Sequence, residues 1–285
     1  MMSVNVWPSE ITAHSPLAKR QRAIGKVLLS AQRLEGRTRP MRVAESGSMR
    51  IRLPRGSGEG LDAVIVNTAG GIACGDRFEV EIEAAEGASI AVATPAAEKV
   101  YRSDGPVSHV LTRLTVGPQA RIEWLPQETI LFDHARLSRR LDACMAENGS
   151  LSIFEAVVFG RATRSEIMSD GLFSDHWRIR RGGRLIYADT FRLAGPISHL
   201  LKKPTIANDA RAVATFLYVG PDAEARLEAV RASLTNEGGG EAAASAWNGL
   251  LAVRFSDVTI ERLRVAATRF LVEFRAAPLP RVWLS

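Results

Sequence analysis

The side chains of this chain best suited to chemistry are Cys74, Asp76, Glu98, Glu128, Asp133 and His134, and each falls in or beside a loop. Carboxylate, imidazole and thiolate together suit weak, exchangeable coordination of a borderline divalent ion such as nickel. The spacing argues against a permanently bound metal, because His14, His109, His134, His176 and His199 form no H-x-x-x-H or H-x-H pair. Taken singly, each candidate also has a plainer role as surface charge, as an ion-pair partner of Arg77 or Lys99, or as an inert buried thiol. Glu98 and Glu128 are the natural pair to test as acid and base for sugar hydrolysis. A carbohydrate cleft normally supplies aromatic platforms, however, and Phe, Trp and Tyr make up 6% of the chain.

The loop carrying Cys74 and Asp76 reads Asn67-Thr68-Ala69-Gly70-Gly71-Ile72-Ala73-Cys74-Gly75-Asp76-Arg77. Gly70 and Gly75 have the spacing of a phosphate loop, but Asp76 stands where that loop needs lysine, and a carboxylate there repels phosphate. The dinucleotide fingerprint fails as well, since Ile72 occupies its second glycine and the next element reads as a strand. No G-x-S-x-G nucleophile elbow occurs. What remains is a loop with several positions free to take positive φ, ending in a carboxylate that enters a strand.

Period-two alternation dominates from about residue 37 to 193. In Arg77 to Glu83, Phe78, Val80 and Ile82 point one way and three glutamates the other, a half-buried strand with one wet face. Strand–turn–strand units recur, with turn glycines Gly87, Gly117, Gly149 and Gly183 separated by 30, 32 and 34 residues. Each unit has one apolar face to bury, so stacking predicts a mainly β, layered or helically wound structure built from repeated hairpins; an ordinary β-sandwich has the same pattern. The C-terminal third predicts two α-helices. One is capped by Asp222, has an apolar stripe of Ala223, Leu227, Val230 and Leu234, and stops near Gly238-Gly239-Gly240. The other runs from about Asp257 to Arg275, after a strand over Leu250 to Phe255, with Ile260, Leu263, Ala267, Phe270, Leu271 and Phe274 on one face, and ends before Pro278 and Pro280. Trp283 in the tail is expected to pack back onto the body. The chain thus reads as a single domain, 1–285, with β-rich hairpin repeats over 1–205 and a mixed α/β part over 206–285.

Of the net charge of +6, residues 1–60 hold the whole positive excess, with eleven Lys/Arg against four Glu. Trp7 is the only aromatic residue among them, so no stacking platform for nucleic acid is present there. No secretory signal or membrane span is expected, and Cys74 and Cys144 do not suggest a disulfide framework, so the cytoplasm is the expected compartment.

Three stretches carry a resemblance: Gly70 to Asp76, then Lys99-Val100-Tyr101-Arg102-Ser103, then Trp124-Leu125-Pro126-Gln127-Glu128 leading to Phe132. In this order they resemble the UreD (UreH) family of urease accessory proteins, whose pattern is Gly-Gly-x-x-Gly-Gly-Asp, Lys-x-Tyr-Arg-Ser and Trp-Leu-Pro-Gln-Glu. The likeness extends through Gly36-Arg37-Thr38, Arg50 to Arg55, Gly160-Arg161, Trp177 to Phe191 and Pro280-Arg281-Val282-Trp283. Gly70, Gly71, Gly75, Asp76, Lys99, Tyr101, Arg102, Ser103, Trp124, Pro126, Gln127 and Glu128 are the motif residues; Cys74 departs from it, standing where the family usually has glycine. The resemblance implies a non-catalytic maturation factor that binds urease apoprotein and the UreF and UreG accessory proteins, UreG being the GTPase. It implies no permanently bound cofactor, nickel in transit, and a helically wound β fold with two helices. Asp76, Glu98, Glu128 and Asp133, with Cys74, are the transit candidates along a polar interior path, and Asp76→Ala or Glu128→Ala is expected to lower nickel loading.

Overall fold

The computed structural model describes residues 22–55, 58–161, 166–234 and 240–284. Its alternating segments form two large β-sheets. The first runs in the order β14 (Arg184–Gly195), β13 (Gly171–Arg181), β11 (Arg136–Met145), β8 (Ser108–Val116), β5 (Arg77–Ala84), β1 (Ile24–Leu34), β2 (Arg37–Gly47). The second runs β16 (Glu241–Trp247), β17 (Leu250–Asp257), β15 (Ala212–Val219), β12 (Ser150–Phe159), β9 (Arg121–Leu125), β6 (Ser89–Ala93), β4 (Leu61–Asn67), β3 (Met49–Arg52). Two short strands, β7 (Glu98–Val100) and β10 (Thr129–Leu131), pair in parallel, and β10 also pairs with the far half of β12.

The inner strands of each sheet are parallel: β1, β5, β8, β11 and β13 in the first, β4, β6, β9 and β12 in the second. The chain therefore winds as a helix of β coils, each passing from the first sheet to the second and back. Gly87, Gly117 and Gly149 mark the corners of successive coils. The 30- and 32-residue spacings between them are coil lengths. These turns join strands of different sheets, whereas Gly182-Gly183 closes a true antiparallel hairpin between β13 and β14. The corners stack through backbone bonds, the amide of Gly87 donating to Pro118 O and that of Ala146 to Val116 O. Glycine is needed at 117 because a Cβ there would sit 2.9 Å from Ala84 O.

Two cores result. Val27, Val80, Ile82, Ile122, Ile153 and Ile179 pack between the sheets. On the other face of the second sheet, Phe154, Phe216 and Val253 meet the helices α2 (Leu227–Ser233) and α3 (Ile260–Arg275). The middle of the second sheet is thus buried on both faces, which explains the near-continuous burial of β12. Helix α3 follows its predicted stripe, with Leu263, Ala267, Phe270 and Leu271 buried. Trp283 packs back as expected: it is buried, and its indole N–H donates to Leu125 O at 2.9 Å.

The ends of the helices differ from the sequence reading. Helix α2 starts after Arg226, and Asp222 instead accepts from Tyr218 Oη and Arg226 Nε, each at 2.6 Å. It is followed by an extended Leu234; Gly238 and Gly239 lie outside the described residues, as do Lys19, Arg20 and His14. Helix α3 is capped by Thr259, while Asp257 accepts from the Thr259 amide and the Arg262 guanidinium. A third, one-turn helix, α1 (Ile197–Leu201), and the alanine-rich strand β16 were not predicted. Alanine is a poor strand former, so β16 takes its conformation from pairing with β17.

Candidate functional site

The glycine loop after β4 folds onto β7. The Ile72 amide donates to Lys99 O (2.7 Å), the Tyr101 amide to Ile72 O (2.8 Å) and Tyr101 Oη to Gly70 O (2.9 Å). This closeness explains Gly71: at φ 139° its added Cβ would lie 2.5 Å from Tyr101 Cε2 and 2.8 Å from Lys99 O. Two of the three motif stretches are therefore one structural unit. The third reaches it from the next coil, the Glu98 amide donating to Glu128 O at 2.9 Å.

Two cavities lie between the sheets. One, of about 290 Å³, is lined by Asn67, Gly70, Gly71, Glu98, Trp124 and Pro126 among others. The other, of about 570 Å³, lies toward β13, β14 and β17, with Trp177, Asp189 and Arg254 in its wall. Arg139, Glu155 and Asp175 line both. Arg139 Nη2 is 2.5 Å from Asp175 Oδ2 and 2.7 Å from Glu155 Oε2, and its Nη1 is 3.2 Å from Thr129 Oγ1. Trp124 Nε1 donates to Glu155 Oε1 at 2.8 Å. Burial pushes the Glu155 carboxyl up; Arg139 opposes this, Asp175 adds to it, and the net direction is upward. Burial also works to lower the Arg139 pKa, but the charges of Asp175 and Glu155 outweigh it and hold the guanidinium firmly protonated.

Glu98 is the transit candidate that faces this interior. Burial raises its carboxyl to about 7, against which the Asn67 amide works through contacts of 3.3 and 3.4 Å. It thus exchanges its proton near neutral pH.

The other candidates are placed elsewhere. Asp76 is buried, and its oxygens accept from the Ala23 and Ala73 amides at 2.8 and 2.7 Å, so it pins the loop to the start of β1. Glu128 turns away from the cavity toward α3, 3.7 Å from Arg264 Nη1. Glu98 and Glu128 consequently do not face one another across a cleft as an acid–base pair would. Asp133 accepts from Ser169 and lies 3.5 Å from His134. Burial works to raise its carboxyl, and the hydrogen bonds from Ser169 and Asp170 bring it below the usual range. Cys74 is buried, with Sγ 2.7 Å from Asp104 Oδ1; φ is positive at Gly70, Gly71 and Gly75 but not at Cys74, so the cysteine is unstrained. Lys99, Tyr101 and Arg102 are exposed, while Ser103 is buried, its hydroxyl donating to Pro106 O. Gln127 is buried and donates to Val282 O, joining the third motif to the C-terminal turn. Among the described residues no group of three or more His, Cys, Asp or Glu side chains is placed to hold a metal ion.

The sequence reading missed the Arg139–Glu155–Asp175 cluster, although a signal existed. Arg139 shares the inward parity of Leu137 and Leu141, Glu155 that of Ile153 and Val157, and Asp175 that of Phe173 and Trp177. Arg139 and Asp175 are also register partners. Charges on the apolar face of three strands mark a polar interior.

Comparison with known proteins points to a single family. The family model described as UreD urease accessory protein matches residues 23–284. A protein of Azorhizobium caulinodans named urease accessory protein UreD is 52% identical over 93% of this chain and 97% of its own length. One of Xanthobacter autotrophicus with the same name is 56% identical over 94% and 92%. A third, from Methylobacterium, is 53% identical over 93% and 96%. With one family matched across nearly every described residue, the chain belongs to the UreD urease accessory proteins.

Proposed function

We propose that this protein is a non-catalytic scaffold of urease maturation that binds urease apoprotein together with UreF and UreG in the cytoplasm, and that nickel crosses it through the space between its sheets. The whole chain acts as one unit, with nickel as cargo and not as a resident cofactor. The observation that carries this reading is the pair of cavities meeting at Arg139, Glu155 and Asp175, with Glu98 on the wall of the smaller one. Carboxylate oxygens bind a hydrated divalent ion loosely enough to release it, as transit demands. The glycan-hydrolysis alternative draws no support from Glu98 and Glu128, whose side chains diverge.

The test is co-expression with urease subunits, UreF and UreG at limiting nickel. Glu98→Ala and Asp175→Asn should each lower nickel per urease several-fold while the complex still assembles on size exclusion. Full loading by the double variant would refute passage through the interior. Loading lost together with assembly would assign these residues to scaffolding alone.

A further inference from the structure

The Arg139 cluster is arranged in a way that stability does not account for. Arginine binds carboxylates best as a fork, with two parallel N–H···O bonds to one partner. Here a single nitrogen, Nη2, faces Glu155 and Asp175 together. Nε has no hydrogen-bond partner, and Asp175, only 9% exposed, leaves Oδ1 without one. Two carboxylates face one guanidinium, so when ionised they carry an excess negative charge in a region of low dielectric, where that charge attracts a cation strongly. Open space lies on either side, in cavities of about 290 and 570 Å³, into which the arginine can swing.

We propose that Glu155 and Asp175 form a divalent-cation site masked by Arg139, a tethered cation that an arriving ion displaces and that afterwards drives the ion onward. A guanidinium fixed to β11 competes at high effective concentration, so a monovalent ion, with no more charge than the arginine, does not dislodge it. A dication carries twice the charge, accepts both carboxylates and leaves Arg139 in a cavity; the returning arginine then prevents trapping. Thr129 Oγ1 stands ready as a third oxygen beside the site. Trp124 holds Glu155 in position throughout through its bond to the other oxygen. The driving-onward step rests on nickel passing through the interior, whereas the masked site stands without it.

The experiment is equilibrium dialysis of the full chain against nickel chloride in a potassium chloride buffer. Arg139→Gln should tighten nickel binding about tenfold or more, by close to one ion per chain. Adding Asp175→Asn to it should abolish the gain, which separates this site from nickel on the surface. No gain in Arg139→Gln, or a gain that survives Asp175→Asn, overturns the proposal. Should Arg139→Gln fail to fold, Arg139→Met carries the test: it keeps an apolar stem and removes the masking charge, so tighter binding is again expected and unchanged binding again overturns it. In the co-expression assay Arg139→Gln should lower urease loading by retaining the ion, and Glu98→Gln should lower it without raising retention. If Glu98→Gln and Asp175→Asn load urease normally while Arg139→Gln retains nickel, passage fails and the masked site stands.

Discussion

The two faces of the second sheet are built from the same strands and are put to different use. Toward the helices, Phe154 and Phe216 meet Phe270, Phe274 and Trp283, with Phe216 and Phe270 edge-on at 5.0 Å. Toward the first sheet, Glu155 interrupts Ile153 and Val157, and cavities open on either side of it. A strand alternates its side chains, so β12 supplies a close-packed aromatic core on one face and a charged, spacious one on the other. The helix-side face is close-packed, whereas the inter-sheet face combines its apolar core with open space around Glu155.

Phe270→Ala should sharpen that contrast most, costing about 3–5 kcal/mol in chemical denaturation because the aromatic cluster cannot collapse around the void. A loss below about 1 kcal/mol would mean the helix layer is not the principal support. Next comes the ion pair that clamps α3 to the sheet, where Arg275 donates in fork fashion to Glu123 at 3.0 and 2.9 Å. Glu123→Gln should cost about 3 kcal/mol and release α3 in hydrogen exchange, since it strands a buried guanidinium. Burial works to raise the Glu123 carboxyl, but Arg275 and Arg121 bring it below the ordinary value of 4.5. Its stabilisation is therefore fully present above pH ~4.5 and lost as pH falls through the lowered folded value, so the Gln variant should show a flatter acid limb.

On the cavity face the sign reverses. Glu98 is raised to about 7, so the folded state holds a proton the unfolded chain has released. Stability from this group falls as pH rises from about 4.5 to about 7 and is level above that. Glu98→Gln should stabilise the protein by roughly 1–3 kcal/mol at pH 8, less than full linkage because the carboxyl is partly solvated, and the gain should vanish toward pH 4.5. A Gln variant no more stable than the parent at pH 8 would contradict the buried, functional setting assigned to Glu98. The smallest effect is expected at Cys74→Ser, within about 1 kcal/mol, because a hydroxyl can replace the thiol toward Asp104.

Much of the winding was legible in the chain. The alternation in Phe78, Val80 and Ile82 and the evenly spaced Gly87, Gly117 and Gly149 correspond to a strand and to stacked corners. Pairing was not legible, because a strand's alternation tells which side is apolar but not which neighbour it meets. The Gly70-Gly71 loop was recognisable by composition. Its role in holding Tyr101 and Lys99 needed the coil-to-coil contact. Among the acidic candidates, Asp76 and Glu128 looked equivalent to Glu98 along the chain. Only the folded chain shows that the first is engaged by backbone amides and that the second points toward α3 and Arg264.

By itself, then, the sequence determined the local facts: strand faces, turn positions, the amphipathic stripe of α3 and family membership, all set by neighbours within a few residues or by shared motifs. Only the tertiary structure decided that Arg139, Glu155 and Asp175 meet. They come from three strands 16 to 36 residues apart: parallel register within the first sheet sets Arg139 beside Asp175, and Glu155 meets them from the second sheet across the space between. Burial there turns three unremarkable surface-type residues into a cluster in which two carboxylates share one guanidinium out of reach of water.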